Sequence, residues 1–296
     1  MSALLAVAAL CTALVGCHDH NRGRTISRSE SYSTAYLSQL LRSRVSAEVR
    51  TSGGHHFTLH RIVDRDPNSD EFGMEVFWLE FQPHTVHLAV SQISSHGDLA
   101  EGFQLASGKN DFVVLNGGYW DSRTESKKTK DGKETSEVVY FPLGLVTTSD
   151  RTVSPLRRDM AGGVVYQTND RLGILPTDAF EEQGIAPTNA LQCKPLLVHQ
   201  GGSAMISDDH KRDDRLAIGI DRAGGTVVVI ALGPHGALTL FELAQFLLIP
   251  ASDGGPGCQE ALNLDGGPGA RLFVPALNMN IGRNGSGHLN NVIRLY

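Results

Sequence analysis

What most constrains this chain is a recurring punctuation. Short runs of β-branched and aromatic residues are each closed by a turn rich in glycine, proline, asparagine or aspartate. Residues Glu75–Phe81, 85–93, 112–115, 138–146, Gly163–Gln167, 195–198, 216–220, Thr226–Leu232, Arg271–Val274 and Asn291–Leu295 have this form and read as strands. Glycine supplies 32 of the 296 residues, against a usual share of about 7%, so tight turns and close backbone approaches are expected. Two segments break the pattern. Ala35, Leu37, Leu40, Leu41, Val45 and Ala47 fall near helical spacing and predict a helix over residues 34–50. Leu240, Phe241, Ala244, Leu247 and Leu248 form an apolar helical face. No repeat and no flexible linker interrupts residues 34–296. The expectation is one α+β domain, a mixed β-sheet with flanking helices.

Residues 1–16 stand apart. The uncharged apolar run ending Leu14-Val15-Gly16-Cys17 is shorter than the roughly 20 residues a membrane-spanning helix needs, and suits a secretory signal. Leu-Val-Gly-Cys resembles the bacterial lipobox. That resemblance implies cleavage before Cys17, a lipid on Cys17, and anchoring in the cell envelope, with His18 leaning toward the outer membrane facing the periplasm. Residues 17–33 are polar and aperiodic and read as a tether. In such an oxidising compartment Cys193 and Cys258 either pair, closing a loop worth on the order of 4 kcal/mol, or stand as separate buried thiols.

Composition then excludes several classes. The chain is 41% hydrophobic with a formal net charge of -6, too apolar for disorder and too acidic for a general nucleic-acid binder. There is no GxSxG elbow, Walker loop, HExxH or CxxC. The 12 histidines are scattered, and the pairs His55-His56 and His84/His87 are badly spaced to chelate one ion from a strand. No cofactor and no metal is expected.

Three segments concentrate chemistry. Asn116-Gly117-Gly118-Tyr119-Trp120 sits at a strand end, where paired glycines let backbone N–H groups approach a ligand and the aromatics can face a sugar. A charged run ends at Arg212 and Arg215, at a strand entrance suited to phosphate or carboxylate. Asn263 and Asp265, two apart in Ala261-Leu-Asn-Leu-Asp-Gly-Gly267, share one face of a strand that gives way to the Gly266-Gly267 turn, with Leu262 and Leu264 directed into the core. Glu242 is a carboxylate in an otherwise apolar helix. Residues 121–137 form a Lys-rich polar insert centred on Asp131-Gly132, a hairpin turn signal; it reads as a solvated loop or as a flap beside the site.

In order, NGGYW, PLLVHQGG, RLAIGID, LTLFELAQFL and ALNLDGG resemble the phosphodiester glycosidase family, over roughly residues 112–296. The family includes the lysosomal uncovering enzyme and many bacterial periplasmic proteins. Gln192-Cys193-Lys194-Pro195-Leu196-Leu197 matches its Gln-x-Gly-Pro-x-Leu segment except for Lys194. Arg212 and Arg215 match its Arg-x-x-Arg, and Glu242-Leu243-Ala244 its Glu-Leu-Ala helix. The family's Asp-Gly-Gly-Gly-Ser is here Asp265-Gly266-Gly267-Pro268-Gly269-Ala270, so the hydroxyl is missing.

The resemblance implies a hydrolase cleaving a glycosyl 1-phosphodiester at the anomeric carbon. Asp265 would be its leading carboxylate and Glu242 the partner, Arg215 with Arg212 would clamp the phosphate, Asn116, Gly117 and Gly118 would hold sugar hydroxyls, and Asn263 would orient Asp265. The partner would be a glycan or sugar-phosphate substrate. Two other readings stand beside it: a non-catalytic carbohydrate-binding envelope lipoprotein, and a metal-dependent phosphodiesterase using Asp265, Asp213 and Asp214.

Overall fold

A computed structural model describes residues 37, 40–51, 56–67, 69, 72–93, 103, 107–108, 110–149, 151–205, 207–282 and 289–296. The signal, Cys17 and the tether lie outside the described residues.

In chain order the strands begin β1 (Val45–Arg50), β2 (His56–Val63), β3 (Glu75–Phe81), β4 (Leu88–Gln92), β5 (Val113–Asn116), β6 (Trp120–Lys128) and β7 (Glu134–Pro142). They continue β8 (Val146–Thr148), β9 (Arg151–Ser154), β10 (Gly163–Gln167), β11 (Leu172–Pro176), β12 (Asn189–Cys193), β13 (Leu196–His199) and β14 (Gly202–Ser203). The last are β15 (Arg215–Asp221), β16 (Thr226–Leu232), β17 (Cys258–Asn263), β18 (Arg271–Val274), β19 (Met279–Gly282) and β20 (Asn291–Leu295). Among the described residues helix contributes far less: α1 (Thr177–Glu182), α2 (Leu240–Leu248), isolated helical positions such as Leu37, Leu40 and Leu41, and three short 3-10 segments.

Eight strands build one sheet, ordered β1-β2-β3-β16-β15-β17-β13-β14. Two five-stranded sheets run β11-β10-β12-β8-β9 and β19-β18-β5-β20-β4, and β6-β7 stand alone as a hairpin. The large sheet divides its side chains by strand periodicity. Phe77, Leu79, Leu216, Ile218, Val228, Ile230 and Leu262 face one way, into a core shared with Leu115, Leu272 and Ile293 of one small sheet and Val165 and Leu191 of the other. Their neighbours Trp78, Ala217, Val227, Val229 and Ala261 face the other way, against Leu243, Ala244, Phe246 and Leu247 of α2 and against Leu37 and Leu41. Burial on both faces is why these strands read as continuous apolar runs. The expected inward direction of Leu262 and Leu264 is met.

Several expectations change. The sheets are not mixed: every pairing between named strands is antiparallel, and the molecule is β-rich, not a sheet flanked by substantial helices. The expected helix over 34–50 ends early, because Val45, Ala47 and Val49 also alternate with period two and β1 pairs along its length with β2. The run 138–146 is broken: Gly144 takes φ +94 and separates β7 from β8. In α2 the buried stripe is Leu243, Ala244, Phe246 and Leu247, while Leu240, Phe241 and Leu248 are half-buried. Cys193 and Cys258 are buried free thiols, so the disulfide does not form; burial pushes the Cys193 thiol up to about 12. Among the described residues no helix is long and apolar enough to cross a membrane.

Candidate active site

The site is built where β17 leaves its sheet. Along its end three successive amides take three different acceptors. Asn263 N–H donates to Pro195 O at 3.1 Å, Leu264 N–H to Leu216 O at 2.9 Å, and Asp265 N–H to Gly117 O at 3.0 Å. Pro195 precedes β13 and Leu216 belongs to β15, both in the large sheet; Gly117 follows β5 of a small sheet. Asp265 therefore sits at the seam between two layers. The turn behind it is pinned: Gly267, at φ +62, donates its N–H to Asp214 O at 2.8 Å. A Cβ on Gly266 would lie 2.6 Å from that same carbonyl, so only glycine fits there.

Burial pushes the Asp265 carboxyl up to about 7, and the neighbouring Asp213 carboxylate adds to the rise. Tyr119 lies in the same field. Burial, the Cys193 thiol and Asp265 push its phenol well above the usual range, so it keeps its proton. Tyr119 O–H donates to Lys194 O at 3.0 Å and accepts from Asn263 Nδ2 at 2.8 Å. Asn263 Nδ2 also reaches Lys194 O at 2.9 Å. Asn263 thus holds Tyr119; its expected bond to Asp265 is not among its contacts. Asn116 Nδ2 donates to Gly269 O at 2.8 Å, tying β5 to the turn after Asp265. Both asparagines are buried, and their Oδ1 atoms have no partner among the described residues. An unmatched buried carbonyl oxygen is costly unless a donor arrives.

The glycine pair does something other than expected. Gly117 N–H donates to Asn291 O at 3.1 Å and Gly118 N–H to Asn291 Oδ1 at 2.7 Å. Both amides are spent inside the protein and are not offered to a sugar. A Cβ on Gly117 would fall 1.9 Å from Asn291 Oδ1, which explains the glycine without any ligand. Asn291, fully buried in β20, is the residue sequence reasoning missed, since nothing distinguishes an asparagine opening the last strand. Gln192 likewise serves packing: its Oε1 accepts from Leu145 and Arg157 N–H and its Nε2 donates to Arg157 O.

The arginines and Glu242 also need correction. Arg212 donates Nη1 to Ala237 O at 2.8 Å and Nη2 to Glu242 Oε1 at 2.7 Å. Glu242 is fully buried, and its other oxygen accepts Thr239 N–H at 2.9 Å while Thr239 Oγ1 caps Glu242 N–H. This is a capping box at the start of α2. A carboxylate so enclosed does not reach a substrate, and an arginine committed to it is no free phosphate clamp. Arg215 spends Nε on Leu238 O at 2.8 Å and Nη2 on Lys211 O at 2.6 Å. It stays half-buried beside Asp213 and Tyr119, and no described residue makes a hydrogen bond to its Nη1. Burial lowers its affinity for the proton, against the pull of those neighbours. Among the described residues no three His, Cys, Asp or Glu side chains are grouped to hold a metal ion.

The structure therefore gathers Asp265, Asn263, Asn116, Arg215, Gly266 and Gly267 with Tyr119 and Asp213, and sets Glu242 and Arg212 behind them as support. Comparison with known proteins agrees with the family resemblance. The family model of phosphodiester glycosidase matches residues 110–294. The catalytic domain of zebrafish N-acetylglucosamine-1-phosphodiester alpha-N-acetylglucosaminidase, auto-inhibited by its pro-peptide, superposes with a TM-score of 0.56 at 14% identity, over 92% of this chain and 96% of that one. A hypothetical protein from Synechocystis superposes with a TM-score of 0.47 at 15% identity, over 81% of this chain and 62% of the other. No curated protein matches the chain. With its motifs in order and a match across more than half its length, the chain belongs to the phosphodiester glycosidase family.

Proposed function

We propose that this protein hydrolyses a glycosyl 1-phosphodiester at the anomeric carbon, with Asp265 as the working carboxylate. The observation that carries the reading is Asp265 itself: a carboxyl at a strand end, raised to about 7, in a turn that Asn116 ties to β5 and two residues after Asn263, two buried asparagines whose Oδ1 atoms have no donor among the described residues. A phosphate is already a good leaving group, so protonating it matters less than delivering water or a nucleophile to an oxocarbenium-like carbon. Asp265, once ionised, serves as that base or nucleophile. Asn116 Oδ1 and Asn263 Oδ1 take hydrogen bonds from sugar hydroxyl or amide donors, which satisfies both. Arg215 Nη1 supplies positive charge to the departing phosphate. Asn263 and Lys194 O hold Tyr119 in place, and Glu242 holds Arg212 and the entrance to α2. In the same proposal, the signal of residues 1–16 and a lipid on Cys17 would carry the enzyme to the envelope, where its glycan or glycolipid substrate resides.

The test is turnover of sugar 1-phosphodiesters by purified protein, with product stereochemistry read by NMR. Asp265→Asn is expected to lose activity by about 10²-fold or more, and a variant at the wild-type rate defeats the assignment. One observation favours a second reading, a glycan-binding module without turnover: Gly269 stands where the family carries its hydroxyl. Glycan binding by calorimetry without phosphate-ester cleavage would establish it.

A further inference from the structure

Asp213 is a charged group that acts on Asp265 and that the proposed reaction leaves without a role. It belongs to the short stretch that enters β15, where side chains alternate in direction. Asp214 turns inward: it is buried, and its Oδ1 accepts Gly233 N–H at 3.0 Å. Asp213 turns outward and is exposed. Its backbone is held firmly all the same. Its N–H donates to Leu238 O at 3.3 Å, and its carbonyl accepts Ala237 N–H at 2.9 Å and Leu238 N–H at 3.3 Å. The same stretch lies against the turn that follows Asp265. Gly267 N–H is bonded to Asp214 O, and a Cβ on Gly267 would stand 3.4 Å from Asp213 Oδ2 and 3.6 Å from Asp213 Oδ1. Asp213 Oδ1 accepts Asp214 N–H at 2.9 Å, and Oδ2 takes no hydrogen bond from any described residue.

Two carboxyl groups therefore flank one two-glycine turn, one of them solvated and the other largely buried. Like charges so placed resist ionising together, and the member with less water keeps the proton. The other groups around Asp265 do not have this effect. Tyr119 and Cys193 lie within its field, but burial keeps both protonated and neutral. Arg215 faces Asp213 and Tyr119, and two of its nitrogens are bonded to Leu238 O and Lys211 O. Glu242, the partner expected from the sequence, is enclosed by Arg212 and Thr239. Asp213 is thus the second carboxylate that the fold brings to Asp265.

We propose that Asp213 is a positioning residue of this site, a carboxylate whose charge acts across the glycine turn to govern when Asp265 can work. This rests on the reading of Asp265 as the working carboxylate, yet the coupling is measurable without substrate. Asp213→Asn keeps the oxygen that accepts Asp214 N–H and removes only the charge. Protein with isotopically labelled aspartate carboxyls is titrated by NMR, and the Asp265 signal is assigned from its loss in Asp265→Asn. In Asp213→Asn the proton affinity of Asp265 is expected to fall about threefold or more. It should not move in Asp209→Asn, which takes an exposed charge from the same loop, one that acts on Arg215 but is not among the charges acting on Asp265. An Asp265 midpoint unchanged in Asp213→Asn, or moved equally by Asp209→Asn, would overturn the proposal. With a sugar 1-phosphodiester as substrate, the acidic limb of kcat/KM should move to lower pH by the same factor in Asp213→Asn and stay in place in Asp209→Asn. A limb that stays in Asp213→Asn while the NMR midpoint moves would also overturn it. If the midpoint moves as expected but the wild type cleaves no sugar 1-phosphodiester, the carboxylate coupling stands and the hydrolase reading falls.

Discussion

Asp265→Asn makes opposite demands on stability and on activity, which makes it the sharpest test of the site. The folded protein raises this carboxyl from 3.8 to about 7, chiefly by burial and then by the Asp213 charge. That difference is about three units, or at most about 4 kcal/mol at 1.36 kcal/mol per unit. The side chain still reaches some solvent, which screens the penalty; about 2 kcal/mol is the reasonable expectation. Because folding raises the pKa, the native state holds the proton more tightly than the unfolded chain. The contribution is fully present below about pH 4 and is lost as pH rises through about 7. Asparagine cannot ionise, so it escapes the loss. Thermal melts of wild type and variant across pH 4 to 9 should nearly coincide at the acidic end. The variant should gain steadily up to about pH 7 and level off above pH 8, by about 4–8 °C for a domain of this size. Apart from Asp213, which is coupled to Asp265, the other titrating groups are shared and cancel in the difference. A Tm gap that does not change with pH would refute the perturbed carboxyl, whatever the variant does to turnover. In the wild type, activity through ionised Asp265 should rise over the same interval in which stability falls.

Three further outcomes follow from the supporting residues. Glu242→Ala takes from the half-buried Arg212 its Glu242 ion pair and removes half of a capping box; urea unfolding should show a loss of about 3 kcal/mol. Gly117→Ala drives a methyl group into Asn291 Oδ1 and should cost about 1–3 kcal/mol in the same assay, with a fall in turnover as Asp265 loses its seat. Gly269→Ser should be nearly neutral, within about 0.5 kcal/mol by thermal melt, because a Cβ there would lie 3.7 Å from Asn116 Nδ2; any change in kcat/KM then reports the added hydroxyl.

What could be read from the sequence and what could not divide along a physical line. Strand interiors were legible because burial on both faces leaves an unmistakable apolar run, as in Thr226–Leu232 and Arg215–Asp221. The position of Asp265 at a strand end was legible because the alternation of Ala261 to Leu264 stops at two glycines, and Asp131-Gly132 correctly announced a hairpin turn. The direction of polar side chains was not legible. Glu242 and Arg212 look catalytic in one dimension and prove to be each other's partners, since a buried carboxylate is recognised only once its enclosing arginine is placed. The Gly117-Gly118 amides look free until Asn291, more than 170 residues later, fills them. Period two and helical spacing overlapped between Val45 and Arg50, and pairing with β2 decided the outcome.

The bond from Asp265 N–H to Gly117 O has a consequence for how this molecule opens. It is neither a rung within a sheet nor a local turn contact; it joins one sheet to another. Fraying a strand edge does not expose it, and only separation of the layers does. The Asp265 amide should therefore exchange with deuterium as slowly as the deepest core strands, although its own side chain meets solvent. A residue whose side chain meets solvent would then carry the protection factor of the interior, and its exchange rate would be a direct gauge of layer opening.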